Sequence, residues 1–169
     1  MTMGVDIAVG IGSNIDPSRY IPAALEALRA RFGTLEVSTL YRCPAVGFDG
    51  ADFINLVVMF STGAPIEQVQ TALRDIETEN GRAQRARDGS RTLDLDLLLY
   101  GATIHDDGTI RVPRADIIDY AFVLAPLAEL RPQGVHPSLG RTYAALWADE
   151  NAPRQPLIAI DWAELTGAD

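Results

Sequence analysis

Ile7, Val9 and Ile11 alternate with Asp6, Ala8, Gly10 and Gly12. This period of two predicts a strand over residues 5–12 with one bulky and one small face. The period then changes: Ile21, Ala24, Leu25, Leu28 and Phe32 form a helical stripe. Asp16-Pro17 opens that helix, the aspartate as N-cap and the proline at the first position, and Gly33 ends it. Residues 35–41 read as a second strand. Residues 42–52 (RCPAVGFDGAD) form a loop that is long for a plain connection, which favours a functional one. In the third strand, residues 53–61, Ile54, Leu56, Val58 and Phe60 share one face and Phe53, Asn55, Val57 and Met59 the other. Pro65 starts a second helix with Ile66, Val69, Leu73 and Ile76 on its buried side, and Gly81 ends it. A polar loop (residues 82–90) leads to a fourth strand (residues 91–100).

The order β-α-β-β-α-β, with two helices on one face of a mostly antiparallel sheet, predicts an α+β fold with a ferredoxin-like core. A C-terminal extension follows. It holds a hairpin around Asp107-Gly108, a helical segment over 121–130 interrupted by Pro126, a short helix over 142–149 and a last strand from Leu157 to Ile160. No repeat, linker or low-complexity tract divides residues 1–169, so one domain is expected.

Composition narrows the chemistry. Asp and Glu total 23 and the basic residues 14, giving a net charge of −9. This balance argues against nucleic acid and anionic membrane as partners. All the basic residues are Arg, so a Walker A loop, a Schiff-base lysine and a lysine general base are excluded. The single cysteine, Cys43, allows no internal disulfide, and the two distant histidines, His105 and His136, make no metal cluster. Neither a signal peptide nor an apolar run long enough to span a membrane is visible, so a soluble cytoplasmic protein is expected.

Two aspartates stand inside a leucine-rich strand, where Asp is depleted. With Leu93, Leu95, Leu97 and Leu99 on one face, Asp94 and Asp96 share the other. They are either the solvated side of an edge strand or a site for Mg²⁺, which takes one or two carboxylates together with substrate phosphates. Arg82, Arg85, Arg87 and Arg91 crowd just before them. Guanidinium groups suit phosphate oxygens, although a helix C-terminus also welcomes cations. Phe53 and Asn55 offer an aromatic plate and an amide fitted to a lactam-like heterocycle edge, or else a core Phe and a turn Asn. Ser13-Asn14 after Gly10 and Gly12 is a fragment of a dinucleotide fingerprint that lacks its third glycine and reads as a tight turn. Cys43 reads as structural.

The strings VGIGSNI (9–15), LYRCPAVGF (40–48), DFINLVV (52–58), IETENGR (76–82), RTLDLDLLLYG (91–101), VPR (112–114) and AFVLAPLAEL (121–130) together resemble the 6-hydroxymethyl-7,8-dihydropterin pyrophosphokinases of folate biosynthesis. The resemblance implies transfer of pyrophosphate from ATP to the pterin hydroxymethyl oxygen, with release of AMP. It implies two Mg²⁺ on Asp94 and Asp96, and phosphate-gripping catalytic arginines at Arg82 and Arg91. It places Glu77 near the nucleotide and the pterin between Phe53 and Phe122, its edge read by Asn55 and by the loop from Cys43 through Pro44 to Val46.

Three positions depart from the family pattern. Asp88-Gly89-Ser90-Arg91 stands where an aromatic and Gly-Pro-Arg are usual, Val112-Pro113-Arg114 replaces Val-Pro-His, and Tyr120 replaces a phosphate-contacting Arg. Arg114 can restore the charge lost at 120, which makes it a further nucleotide-binding candidate. These departures admit two other readings: a kinase for a different pterin alcohol, and a pterin-binding module without ATP chemistry.

Overall fold

The small face of the first strand is small because something must fit over it, and the fold shows where. The computed structural model describes residues 4–81 and 89–167. In chain order the elements are β1 (Val5–Ser13), α1 (Pro17–Phe32), β2 (Glu36–Val37), β3 (Leu40–Cys43), β4 (Phe53–Thr62), α2 (Ile66–Glu79) and β5 (Asp94–Tyr100). Then come β6 (His105–Asp106), β7 (Arg111–Val112), α3 (Asp116–Asp119), α4 (Ala121–Leu130), α5 (Tyr143–Ala148), β8 (Ile158–Ile160) and α6 (Trp162–Thr166). The open sheet runs β5-β1-β4-β3-β8, with β2 also on β4 and antiparallel pairing throughout.

Alternation sorts the side chains onto two cores. Ile7, Val9 and Ile11 of β1 and Leu56 and Val58 of β4 pack with Leu28 of α1 and Leu73 of α2. A fully buried leucine such as Leu28 contributes about 1.5–3 kcal/mol through burial. On the other face Ala8, Val57, Met59 and Leu98 meet Ile117, Leu124, Leu127 and Leu146 from α3, α4 and α5. The sequence pattern predicts helices on one face only. Among the described residues, the stretch after residue 115 covers the second face over the half of the sheet that carries Ala8, Val57 and Leu98.

Several local expectations change. The second strand is split at Ser38, which is buried: its N–H donates to the Val57 carbonyl (3.0 Å), and its Oγ accepts the Val57 N–H (2.9 Å). A hydroxyl thus replaces a carbonyl in the ladder and the strand bends. Asp16 does not cap α1 with its side chain. It sits in the left-handed region (φ 49°), its carbonyl receives the N–H groups of Arg19 and Tyr20, and its carboxylate accepts from Ser18 Oγ at 3.3 Å. A register shift opposite Ala8 and Val9 moves Leu99 off the face of Leu93, Leu95 and Leu97 and into the second core. Cys43 belongs to β3 rather than to the following loop. Helix α4 runs unbroken through Pro126, because burial of Val123, Leu124, Leu127 and Ala128 outweighs one missing hydrogen bond.

The C-terminal extension has defined work in the fold. Strand β8 pairs with β3 (Leu40 opposite Ile160) and forms the far edge of the sheet. Helix α6, not anticipated from the pattern, starts in a capping box: Asp161 accepts the Glu164 N–H at 2.7 Å and Glu164 accepts the Asp161 N–H at 3.3 Å. Its Leu165 is buried in the first core. His136 is buried, and its Nδ1 accepts the N–H groups of Ser138 and Leu139 (3.1 and 3.2 Å), a loop-holding role. Among the described residues no helix is long and apolar enough to cross a membrane.

Candidate functional site

The uncovered half of the second face forms a cavity of about 350 Å³, within the size range of small-molecule sites. Its floor is the small face of β1. Gly12 lies opposite Asn55 of β4 on one side and Asp94 of β5 on the other, and Gly10 opposite Val57 and Asp96. With neighbouring strands about 4.8 Å apart, Asn55 and Asp94 are held roughly 10 Å from each other across a glycine. That gap is obligatory: a Cβ at Gly12 would stand 2.7 Å from Asn55 Oδ1. The glycine therefore preserves the orientation of an amide.

Asn55 is 8% exposed, and its Nδ2 donates to Cys43 Sγ at 3.2 Å. Donation through Nδ2 leaves Oδ1 turned toward Gly12 and the cavity. Cys43 is buried behind Asn55 and does not line the cavity. Burial pushes its thiol up to about 11 against the lowering effect of the Asn55 bond. The neutral thiol positions Asn55 rather than attacking anything.

Aromatic groups face each other across the space. Phe53 meets the edge of Phe48 (centroids 6.3 Å, 86°) on one wall. Phe122 lies stacked on Tyr120 (4.9 Å, 16°) on the other. Pro44 and Val46 complete the loop side of the cavity. Phe48 and Tyr120 are lining residues that the sequence reading gave no ligand role. Their signals were present: an aromatic in the long loop, and a second aromatic two residues before Phe122.

The charged end is built from alternating cations and carboxylates. Arg91 Nε lies 3.3 Å from Asp94 Oδ2, and Arg91 Nη1 donates to the Gly89 carbonyl at 2.9 Å. Arg114 spans two carboxylates, with Nη2 3.7 Å from Asp96 Oδ1 and Nε 3.1 Å from Asp116 Oδ2. Burial disfavours the Arg114 charge, but Asp96 and Asp116 outweigh it and hold its pKa above the usual value. Asp94 and Asp96 stand on an edge strand, as one reading of the pair expected, yet both line the cavity.

Asn14 joins the loops around this end. Its Oδ1 accepts the Arg91 N–H (2.7 Å), and its Nδ2 donates to Ser90 Oγ (3.3 Å) and to the Ala51 carbonyl (3.1 Å). The Arg91 carbonyl in turn accepts the N–H groups of Asn14 and Ile15. The Gly-Ser-Asn turn thus fixes the start of β5 and the end of the 44–52 loop together, and Ser90 gives Asn14 a partner.

Of the residues singled out from sequence, the structure gathers Pro44, Val46, Phe53, Asn55, Arg91, Asp94, Asp96, Arg114 and Phe122 around one cavity. Glu77 does not line it; it is buried (1% exposed) on α2, which packs against β5. Arg82, Arg85, Arg87 and Asp88 lie outside the described residues. Two carboxylates beside two guanidinium groups and an aromatic-walled amide pocket can hold a planar heterocycle at one end and a metal-associated phosphate at the other.

Residues 8–132 match the family model described as 7,8-dihydro-6-hydroxymethylpterin-pyrophosphokinase. The 2-amino-4-hydroxy-6-hydroxymethyldihydropteridine pyrophosphokinase of Pseudomonas aeruginosa is 40% identical over 131 residues, covering 75% of this chain and 80% of that one. The protein of the same description from Aquifex aeolicus is 31% identical over 133 residues, 78% of this chain and 83% of that one. A folic acid synthesis protein of Pneumocystis carinii is 30% identical over 142 residues, 82% of this chain but 19% of that longer one.

Proposed function

The chain belongs to the 7,8-dihydro-6-hydroxymethylpterin-pyrophosphokinase family, and from that membership we propose that it transfers pyrophosphate from ATP to the hydroxymethyl oxygen of 6-hydroxymethyl-7,8-dihydropterin, releasing AMP, in folate biosynthesis. The observation that carries this reading is the joint placement of Asn55, Gly12 and Asp94 in one register across three strands. It puts a heterocycle-reading amide roughly 10 Å from a carboxylate pair, room for a fused two-ring heterocycle.

The pterin ring lies between Phe53 and Phe122, and the Asn55 amide and the backbone of residues 44–46 read its edge. Arg91 and Arg114, with Arg82, hold the phosphates, and Glu77 supports the nucleotide side through α2. Asp94 and Asp96 hold Mg²⁺. Two carboxylates are what that cation asks of a protein when substrate phosphates complete its shell. Arg91 Nε already lies 3.3 Å from Asp94 Oδ2 and Arg114 Nη2 3.7 Å from Asp96 Oδ1, so each carboxylate of the pair has a guanidinium beside it where phosphate oxygens would meet the cation. When bound, the cation neutralises phosphate charge and aligns the transferred group. This chain's residues supply the rest: the arginines balance charge on the phosphate oxygens, and the aromatic walls fix the pterin oxygen for in-line approach. The loop 44–52, which brings Pro44, Val46 and Phe48 to the cavity, excludes competing water. The strand order β5-β1-β4-β3 supports a ferredoxin-like core within a single domain.

The test is AMP release from ATP, Mg²⁺ and 6-hydroxymethyl-7,8-dihydropterin; the reading predicts AMP in step with pterin consumed and none without Mg²⁺. Failure to form AMP while pterin binds would instead support the non-catalytic reading. Gly12→Ala provides a sharper check on the floor. The new methyl collides with Asn55 Oδ1, the free end of a side chain that can turn away. Pterin affinity should fall about 10–100-fold, as for a lost buried hydrogen-bond pair, while stability changes by less than about 1.5 kcal/mol. Calorimetric titration and thermal melts read the two effects separately.

A further inference from the structure

Gln155 lies beyond residues 8–132, the stretch that the family model matches, and outside the cavity. Its side chain nevertheless reaches the backbone on both sides of Tyr120. Gln155 Oε1 accepts the Ala121 N–H at 2.7 Å, and Nε2 donates to the Asp119 carbonyl at 3.1 Å. The partners fix the orientation of the amide, since only its oxygen can accept and only its nitrogen can donate.

These contacts fall at a weak point of the fold. Tyr120 is extended (φ −128°, ψ 126°) between α3 and α4, serving as C-cap of one and N-cap of the other, with no side-chain cap of its own. The first N–H groups of a helix and the last carbonyls of the preceding one have no intrahelical partner. Gln155 satisfies one of each. It does so from an anchored position: Arg154 lies over the Trp147 ring (4.8 Å) and donates from Nη2 to the Trp147 and Asp149 carbonyls (3.1 and 3.2 Å). Three residues further on, β8 pairs with β3, the strand that ends at Cys43 behind Asn55.

We propose that Gln155 is a positioning residue that sets the Tyr120–Phe122 wall of the pterin pocket, so that the C-terminal segment controls pterin affinity without touching the ligand. This inference rests on the pterin reading of the cavity. The segment 154–160 ties the aromatic wall to β3, the strand that leads into Pro44 and Val46 on the loop side of the pocket. Loss of the bridge frees Tyr120 to rotate and spreads the stacked pair, leaving the charged end with Arg91, Asp94 and Asp96 as it was.

The test compares wild type, Gln155→Ala and Gln155→Met, the last keeping the bulk while removing both hydrogen bonds. Calorimetry with 6-hydroxymethyl-7,8-dihydropterin should show a Kd about tenfold higher in both variants, equivalent to about 1.4 kcal/mol. In the AMP-release assay the pterin KM should rise in parallel, with the ATP KM within twofold of wild type and similar thermal midpoints. Unchanged pterin Kd in both variants overturns the proposal. So does an equal rise in both KM values with a lowered midpoint, the mark of general destabilisation, or a Met variant that binds like wild type. Wild type that binds no pterin refutes the functional reading, and the inference with it. Normal binding by wild type with unchanged variants refutes the inference alone.

Discussion

Asp94→Ala is expected to cut AMP release by about three powers of ten, because the charge stabilisation supplied through a metal-holding carboxylate is worth several kcal/mol and each 1.36 kcal/mol is tenfold in rate. The fold should survive. Asp94 sits at the first position of β5, and the side chains that bury this strand, Leu95, Leu97 and Leu98, are untouched. Removing one of two neighbouring carboxylates also removes repulsion. The loss should appear in kcat at saturating substrates, with pterin affinity nearly intact, since Phe53 and Asn55 stand on β4 and Phe122 on α4. Steady-state kinetics, calorimetry and a thermal melt distinguish these effects. Normal turnover by this variant would sink the metal assignment. Excess Mg²⁺ that restores part of the rate would place the defect in cation affinity.

Arg91→Ala should lower the rate of the chemical step by about 10²–10³, the usual cost of one lost charge-stabilising donor. Here too the backbone argues for an intact fold. The Arg91 N–H and carbonyl both hold the Asn14 turn, and these contacts do not depend on the side chain. Among the described residues the guanidinium touches the Gly89 carbonyl and Asp94. Arg91→Lys restores the charge but not the two-pronged geometry and should recover only part of the rate. Arg91 and Asp94 are in contact, so their effects should not add: the double variant loses less than the product of the single losses. Single-turnover measurements are the appropriate readout. Additive losses would mean that the two groups act separately.

The pattern of apolar residues carried the mixed fold class and the two faces of a mostly antiparallel sheet, because alternation over β1 and β4 is long and regular. The small face of β1 was legible too, but not its use: Gly10 and Gly12 line the cavity, whereas Ala8 lies in the covered second core. The rest was hidden for identifiable reasons. A side-chain hydroxyl at Ser38 and a register shift beside Ala8 break strands in ways a period of two cannot express. Coverage of the second face comes from helices as short as the four residues of α3, below the length at which a stripe becomes readable. Asn14 looked like an ordinary turn residue because its partners, Ala51 and Ser90, are far along the chain. The aspartate pair and Arg91 were legible because charge within an apolar strand conflicts with its surroundings, and such conflicts gather at functional sites.

The two floor glycines differ in a way that gives the pocket an adjustable dimension. A methyl at position 12 strikes an amide at 2.7 Å, whereas one at position 10 would meet only Leu98, at an ordinary 3.6 Å. One point of the mould is thus rigidly specified, and the neighbouring point has slack. Depth beneath the carboxylate pair can therefore be reduced by a methyl's thickness at position 10 without turning the amide that reads the ring. Recognition of the heterocycle and clearance under its side arm are separable traits, set by two residues on one strand.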